Sequence, residues 1–177
     1  MSNFIRGIIV GAIALAAGIY GYARLGLLDL RADQTPSALE DQVAGSALDA
    51  STDHHAPQQK NPLPPTQENL LAGARLYRDK CSDCHGSPVN PNSDYGRSFY
   101  PRVPQFMKQA PDMPEHENFY IIKHGIRWTA MPAWGTIMTD SEMWQVVMLL
   151  NRFEKLPPEV NQELRKPVAA APPAKAP

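Results

Sequence analysis

Cys81-Ser82-Asp83-Cys84-His85 sets two thiols three positions apart, with an imidazole directly after the second. That spacing suits covalent capture of one porphyrin. Each thiol can add to a vinyl group, and the histidine then sits under the iron as proximal ligand. Cys81 and Cys84 are the only cysteines, so no third thiol competes for a disulfide. Three other readings are weaker. A dithiol redox pair belongs beside a βαβ pattern, and none is visible. A zinc site needs a fourth ligand, which the scattered remaining histidines supply poorly. A structural disulfide would leave His85 without a task. The motif therefore predicts one covalent haem c held by Cys81, Cys84 and His85.

Helices must bring those groups together. Thr66 can cap a helix whose first turn carries Glu68. Leu70, Ala74, Tyr77 and Cys81 then recur at helical spacing, so one face delivers the helix's C-terminal end to the motif. A second helix is predicted from Pro114 to His124, with Phe119 and Ile122 inward and Gly125 as its stop. Thr139-Asp140-Ser141-Glu142 is a capping-box sequence for a third. Met143, Val146, Val147, Leu150 and Phe153 supply its buried stripe, and Pro157-Pro158 ends it. Gly86 to Pro111 is proline-rich and aperiodic, which predicts irregular loop wrapped against the cofactor. So small a domain would be marginal on its own apolar area, and the porphyrin would supply much of its core.

The flanks read differently. Arg6 precedes an uncharged, largely apolar run from Gly7 to Ala23, closed by Arg24. As a helix that run is about 25 Å long, slightly short of a hydrocarbon core of ~30 Å. Snorkelling of Arg24 would let Leu25, Leu27 and Leu28 extend it. Residues 1–28 are expected to form a transmembrane anchor or signal-anchor, the run being longer than an ordinary cleaved signal core; a signal peptide cut after Gly21-Tyr22-Ala23 is the alternative. Gly7, Gly11, Ala14, Gly18 and Gly21 align on one face, as in close-packed membrane helices. Residues 29–65, rich in Ala, Ser, Asp, Gln and Pro, are expected to be a flexible linker, with His54-His55 a solvated pair. A helical domain occupies 66–157, and 158–177 reads as a disordered Pro/Ala-rich tail.

The 177 residues carry a formal net charge of −1 and no basic face, which excludes nucleic acid as an expected partner. All eighteen prolines lie outside the haem motif, which predicts that part of the length does not pack into a core.

Over roughly Thr66 to Pro157 the chain resembles class I c-type cytochromes, and particularly the single-haem modules of membrane-anchored cytochromes and of respiratory complexes. Gly73, Tyr77, Cys81 to Gly86, His124-Gly125-Ile126, Met131-Pro132-Ala133-Trp134 and Trp144 carry the resemblance. It implies an all-α, class I cytochrome c fold around one covalent haem, with the N-terminal transmembrane helix added. It implies that the first helix crosses the last, with Gly73 and Tyr77 facing Trp144 or Val147. It implies Met131 as sixth ligand, stiffened by Pro132; Met113, His116, His124 or an open site are the alternatives. A proline carbonyl, from Pro101 or Pro104, is implied as the partner of the second His85 nitrogen. Trp128 and Trp134 are expected to cover the haem edge or the ligand loop.

The function these features predict is single-electron transfer by a membrane-tethered monohaem cytochrome c in the periplasm, on a bacterial inner membrane. Its partners would be redox proteins of the respiratory chain or a membrane complex. An alternative is the electron-entry haem subunit of a dehydrogenase or terminal oxidase. A reading of another class is a haem sensor or peroxidase with an open sixth position.

Overall fold

The computed structural model describes residues 2–168, and among them every regular element is a helix. The chain forms two compact units, one ending at Arg31 and one beginning at Ala32.

The first unit is helix α1, Ser2–Arg24, in which no residue is buried. At ~1.5 Å per residue it is about 35 Å long, enough to cross a hydrocarbon core. It is apolar enough to do so, with basic residues only towards its ends, at Arg6 and Arg24. Its stop corrects one expectation. Gly26 takes φ +71°, Leu27 N–H donates to Tyr22 O at 3.3 Å and Gly26 N–H to Ala23 O at 3.2 Å. This pair of bonds satisfies the orphan carbonyls of a helix end and turns the chain out of the helix. Leu25, Leu27 and Leu28 therefore do not lengthen the helix.

The second unit begins with helix α2, Ala38–His55, inside the stretch expected to be flexible. Ser37 Oγ caps it by accepting from Glu40 N–H at 3.2 Å, and acidic residues fill its first turn. Thr52 and Ala56 are buried, and α2 packs on the later helix Glu115–His124. The segment after it is also tied down. Gln58 Nε2 donates to His116 Nε2 at 2.9 Å and Asn61 Nδ2 to Trp144 O at 3.0 Å. Leu63 rests on the core. From residue 32 to 65 the flexible-linker reading of 29–65 is thus replaced by a docked segment; residues 29–31 fall in the first unit. His54 and His55 close α2, His55 Nδ1 donating to Ser51 O at 2.8 Å.

The core lies where helix α3, Gln67–Lys80, crosses helix α6, Asp140–Leu150; between them come the one-turn α4, Ser82–His85, and α5, Glu115–His124. Leu70, Ala74 and Tyr77 face Met143, Val146, Val147 and Leu150, all buried. Burying each of the larger apolar side chains stabilises the fold by about 1.5–3 kcal/mol. Gly73 sets the crossing, because a Cβ there would overlap the Gln145 carbonyl. Phe119 of α5 stacks on Trp144, with ring centroids 4.2 Å apart. Thr139 and Glu142 form the reciprocal capping box of α6, as expected.

The end of the chain holds the second departure. Pro158 occupies the first turn of helix α7, Pro158–Leu164, whose Val160 and Leu164 are buried against the core. Glu163, also buried, meets Arg78 Nη1 at 2.6 Å and Lys166 Nζ at 2.5 Å. The disordered-tail reading therefore fails for 158–164, where two apolar anchors and a buried ion pair hold a helix to α3. The rest of that expectation, from residue 169 on, lies outside the described residues.

Candidate functional site

Helix α3 ends at Lys80, and the chain turns at once into α4, which carries the motif. Cys84 and His85 both donate their N–H to Cys81 O, at 3.1 and 2.9 Å, so the two thiols and the imidazole occupy one tight turn. Tyr77 fixes that turn from below: its buried hydroxyl donates to Gly86 O at 2.8 Å. Burial also drives its phenol well above the ordinary value, so it stays a donor.

The irregular loop after the motif folds back over it. Phe106 N–H donates to His85 O at 3.0 Å, and Gln105 Nε2 to Cys84 O at 2.9 Å. Gln105 Oε1 accepts from Ser93 N–H at 2.7 Å, while Ser93 Oγ bonds the Asp83 carbonyl. Gly96 lies so close that a Cβ would overlap the Cys84 carbonyl. Ser93, Gly96 and Gln105 are site-building residues that sequence patterning did not mark. A non-repeating loop has no period from which to read its contacts.

His85 donates Nδ1–H to Pro104 O at 2.9 Å, which selects Pro104 over Pro101. A carbonyl only accepts, so the proton sits on Nδ1 and the Nε2 lone pair is free for a metal. Burial holds the imidazole below its ordinary pKa, with Pro104 partly opposing, and so keeps it in the neutral, ligating form. Phe106 stacks on the His85 ring, 4.3 Å between centroids and 8° from parallel.

Both thiols are free. Burial, then the neighbouring Cys84, pushes the Cys81 thiol up to about 12, and burial raises Cys84 as well. Dithiol exchange needs a lowered thiol, so this environment disfavours the redox-pair reading. Among the described residues no three His, Cys, Asp or Glu side chains gather as a metal cluster, so the zinc reading lacks its ligand set.

Met131 sits in the loop after α5. Gly125 ends that helix at φ +67°, and a Cβ there would lie 2.7 Å from Met131 O and 2.8 Å from Ala133 N. Only glycine allows this approach. Ile126 N–H donates to Met131 O at 3.1 Å, and Met131 N–H to Thr129 Oγ1 at 3.1 Å. The Met131 side chain, like Cys81, Phe106 and Trp134, is partly buried against the core. The other candidates are placed differently. Met113 is not among the side chains on that core, its carbonyl being held by Asn118 Nδ2 at 2.8 Å. His116 Nε2 is engaged by Gln58, and His124 is exposed. Trp134 packs against the core, whereas the Trp128 ring is 90% exposed.

Two thiols, a neutral imidazole with a free Nε2, a thioether, and Phe106 on the His85 ring with Phe153 beyond it are the kinds of donor and apolar neighbour that a haem c would need. Residues 68–150, just under half of the chain, match the family model described as cytochrome c oxidase, cbb3-type, subunit III. No match to a curated protein was found. Over the matched stretch the chain is similar to the c-type cytochrome domain of that family.

Proposed function

We propose that the domain carries one haem c, joined by thioethers from Cys81 and Cys84 with His85 and Met131 as its axial ligands, and passes single electrons at a membrane surface. The observation that carries this reading is the Cys81–His85 turn with its imidazole aimed by Pro104. A haem bound there would supply a one-electron Fe(III)/Fe(II) couple. The chain's own residues set its character. Pro104 keeps His85 in one tautomer, Gly125 and Thr129 fix the backbone that presents the Met131 sulfur, and Phe106 shields the imidazole. A thioether favours the reduced state relative to a second histidine, which raises the potential. His85 and Met131 would together hold the iron and leave no position for a substrate, so on this reading the protein is an electron carrier and not an enzyme of bond chemistry.

Helix α1 would anchor this domain in a bacterial inner membrane, with the haem on the periplasmic side, among the redox proteins of the respiratory chain. Residues from Ala32 onward belong to the folded domain, Arg102 Nη1 holding Ala32 O at 2.9 Å. Only about seven residues separate α1 from that point, a reach of at most about 25 Å. So short a lead supports the second reading, a haem subunit fixed within a dehydrogenase or oxidase complex, over a roaming shuttle.

An absorption spectrum with a redox titration tests the proposal. The oxidised protein should show the weak near-infrared band of methionine-to-ferric ligation, and the pigment should stay with the denatured polypeptide. Rapid carbon monoxide binding to the native ferrous protein would instead favour the sensor or peroxidase reading. Gentle detergent extraction separates the two roles: a free monomer indicates the carrier, a fixed assembly the subunit.

A further inference from the structure

The sequence Ile126-Arg127-Trp128-Thr129 closes a tight turn, Thr129 N–H donating to Ile126 O at 3.3 Å. Trp128 occupies its third position with φ +60°, the only positive φ on a non-glycine residue among those described. That position belongs to glycine or asparagine in ordinary turns, because a Cβ is strained there. Burial does not compensate the strain, since the indole is 90% exposed. Its one aromatic contact is with the Arg127 guanidinium, 5.9 Å from the ring centroid. The turn itself is stiff. Thr129 Oγ1 donates to Ile126 O at 2.8 Å and accepts from Met131 N–H, and Met131 O accepts from Ile126 N–H. The fold therefore displays a large apolar ring, at a conformational cost, on a rigid loop three residues before the proposed iron ligand.

We propose that Trp128 and Arg127 form the docking anchor for the electron-transfer partner. The partner surface has an apolar socket for the indole and a carboxylate beside it for the guanidinium. Tryptophan and arginine dominate interface energetics when they enter such pockets, and a ring already held in place loses little freedom on binding. The charge assignment follows from pairing. Arg127 has no carboxylate partner among the described residues, whereas nearby Lys123 is matched by Asp140 at 2.9 Å. An acidic partner surface leaves no unmatched charge; a basic one would meet Arg127 head-on. The loop's link to Met131 places the anchor on the segment that would present the sixth ligand. This inference rests on the electron-transfer reading and adds the chemistry of the partner.

The test uses full-length holoprotein, reduced and mixed with membranes of the source cells from which this chain has been deleted. Ferrous-haem reoxidation is followed over a series of salt concentrations, with ferricyanide as a small oxidant that needs no docking. Trp128→Asn, which tolerates the turn, should keep the spectrum, the thermal midpoint and the ferricyanide rate while losing at least tenfold of the membrane rate. Arg127→Glu should slow the membrane reaction at low salt and reverse the sign of its salt dependence. If Trp128→Asn is reoxidised by the membranes as fast as wild type, the anchor is wrong and the electron-transfer reading survives. A fall in its thermal midpoint and ferricyanide rate would make Trp128 a structural residue and equally overturn the anchor. If wild type itself is not reoxidised, the electron-transfer reading fails and the anchor with it.

Discussion

The His85 side of the site and the Met131 side are built on opposite plans. Around His85, bonds arrive from residues far apart in sequence: Tyr77, Ser93, Pro104, Gln105 and Phe106 all converge on the 81–86 turn. Around Met131 the bonds are local, running from Ile126 and Thr129, and the loop is seated by the close approach at Gly125. A turn cross-braced from many segments moves only when the domain opens, whereas a locally bonded loop can shift as a unit. One side is constructed to persist and the other to yield first.

The largest effect should come from cutting the braced side at its centre. His85→Ala removes the group that Pro104 orients, and the yield of pigmented protein should fall more than tenfold, read by absorbance against a Met131→Ala control that keeps its pigment. Equal loss in both variants would erase the asymmetry. Gly125→Ala comes next. Its Cβ would press on Met131 O at a φ that alanine resists, displacing the loop while the motif stays intact. The near-infrared band should vanish and carbon monoxide should bind, with the pigment still covalent. A variant that keeps the band would show the Met131 side to be as firmly held as the other.

Effects on stability alone should be smaller. Gly73→Ala forces a Cβ into the Gln145 carbonyl and should cost about 1–3 kcal/mol in denaturant unfolding, with an unchanged spectrum in the folded protein. Tyr77→Phe leaves Gly86 O without its buried donor and should cost about 1–2 kcal/mol. The smallest is electrostatic. Lys166 and then Arg78 lower the carboxyl of Glu163 in the folded state, against the opposing pull of burial. Its contribution is fully present above the unfolded value of about 4.3 and fades as pH falls through that value towards the lower folded one. Thermal midpoints should therefore drop more steeply for wild type than for Glu163→Gln between about pH 5 and pH 3. Parallel curves would remove the pair from the account of α7.

What could be read in advance divides along the same lines. The α3 face of Leu70, Ala74 and Tyr77, the α6 capping box and the stop at Gly125 are local signals, each legible because its meaning lies within a few residues. Pro104 could not be separated from Pro101, since the choice depends on how a loop closes in space. Helix α2 went unseen because it has no apolar stripe; its signal was the Ser37-Ala38-Leu39-Glu40 start, a capping pattern that composition masked. Helix α7 is hidden in the sequence because Pro157-Pro158 reads as the end of α6. Proline also suits the first turn of a helix, and Val160 with Leu164 at four-residue spacing was the clue. The Gly73 contact was expected on Trp144 or Val147 and falls on the Gln145 backbone. Trp128 was expected to pack because tryptophan usually does, and its exposure is what drew it into the docking proposal.

The bond from Arg102 to Ala32 makes the chain unevenly tolerant of insertion. Extra residues spliced into the α2 region would bulge from a surface already fastened at both ends, adding bulk without range. On the proposed tethered reading, the same residues placed between Gly26 and Arg31 would pass directly into the distance a bound haem could travel from the bilayer. A series of insertions at those two places would thus measure how far the electron's destination lies.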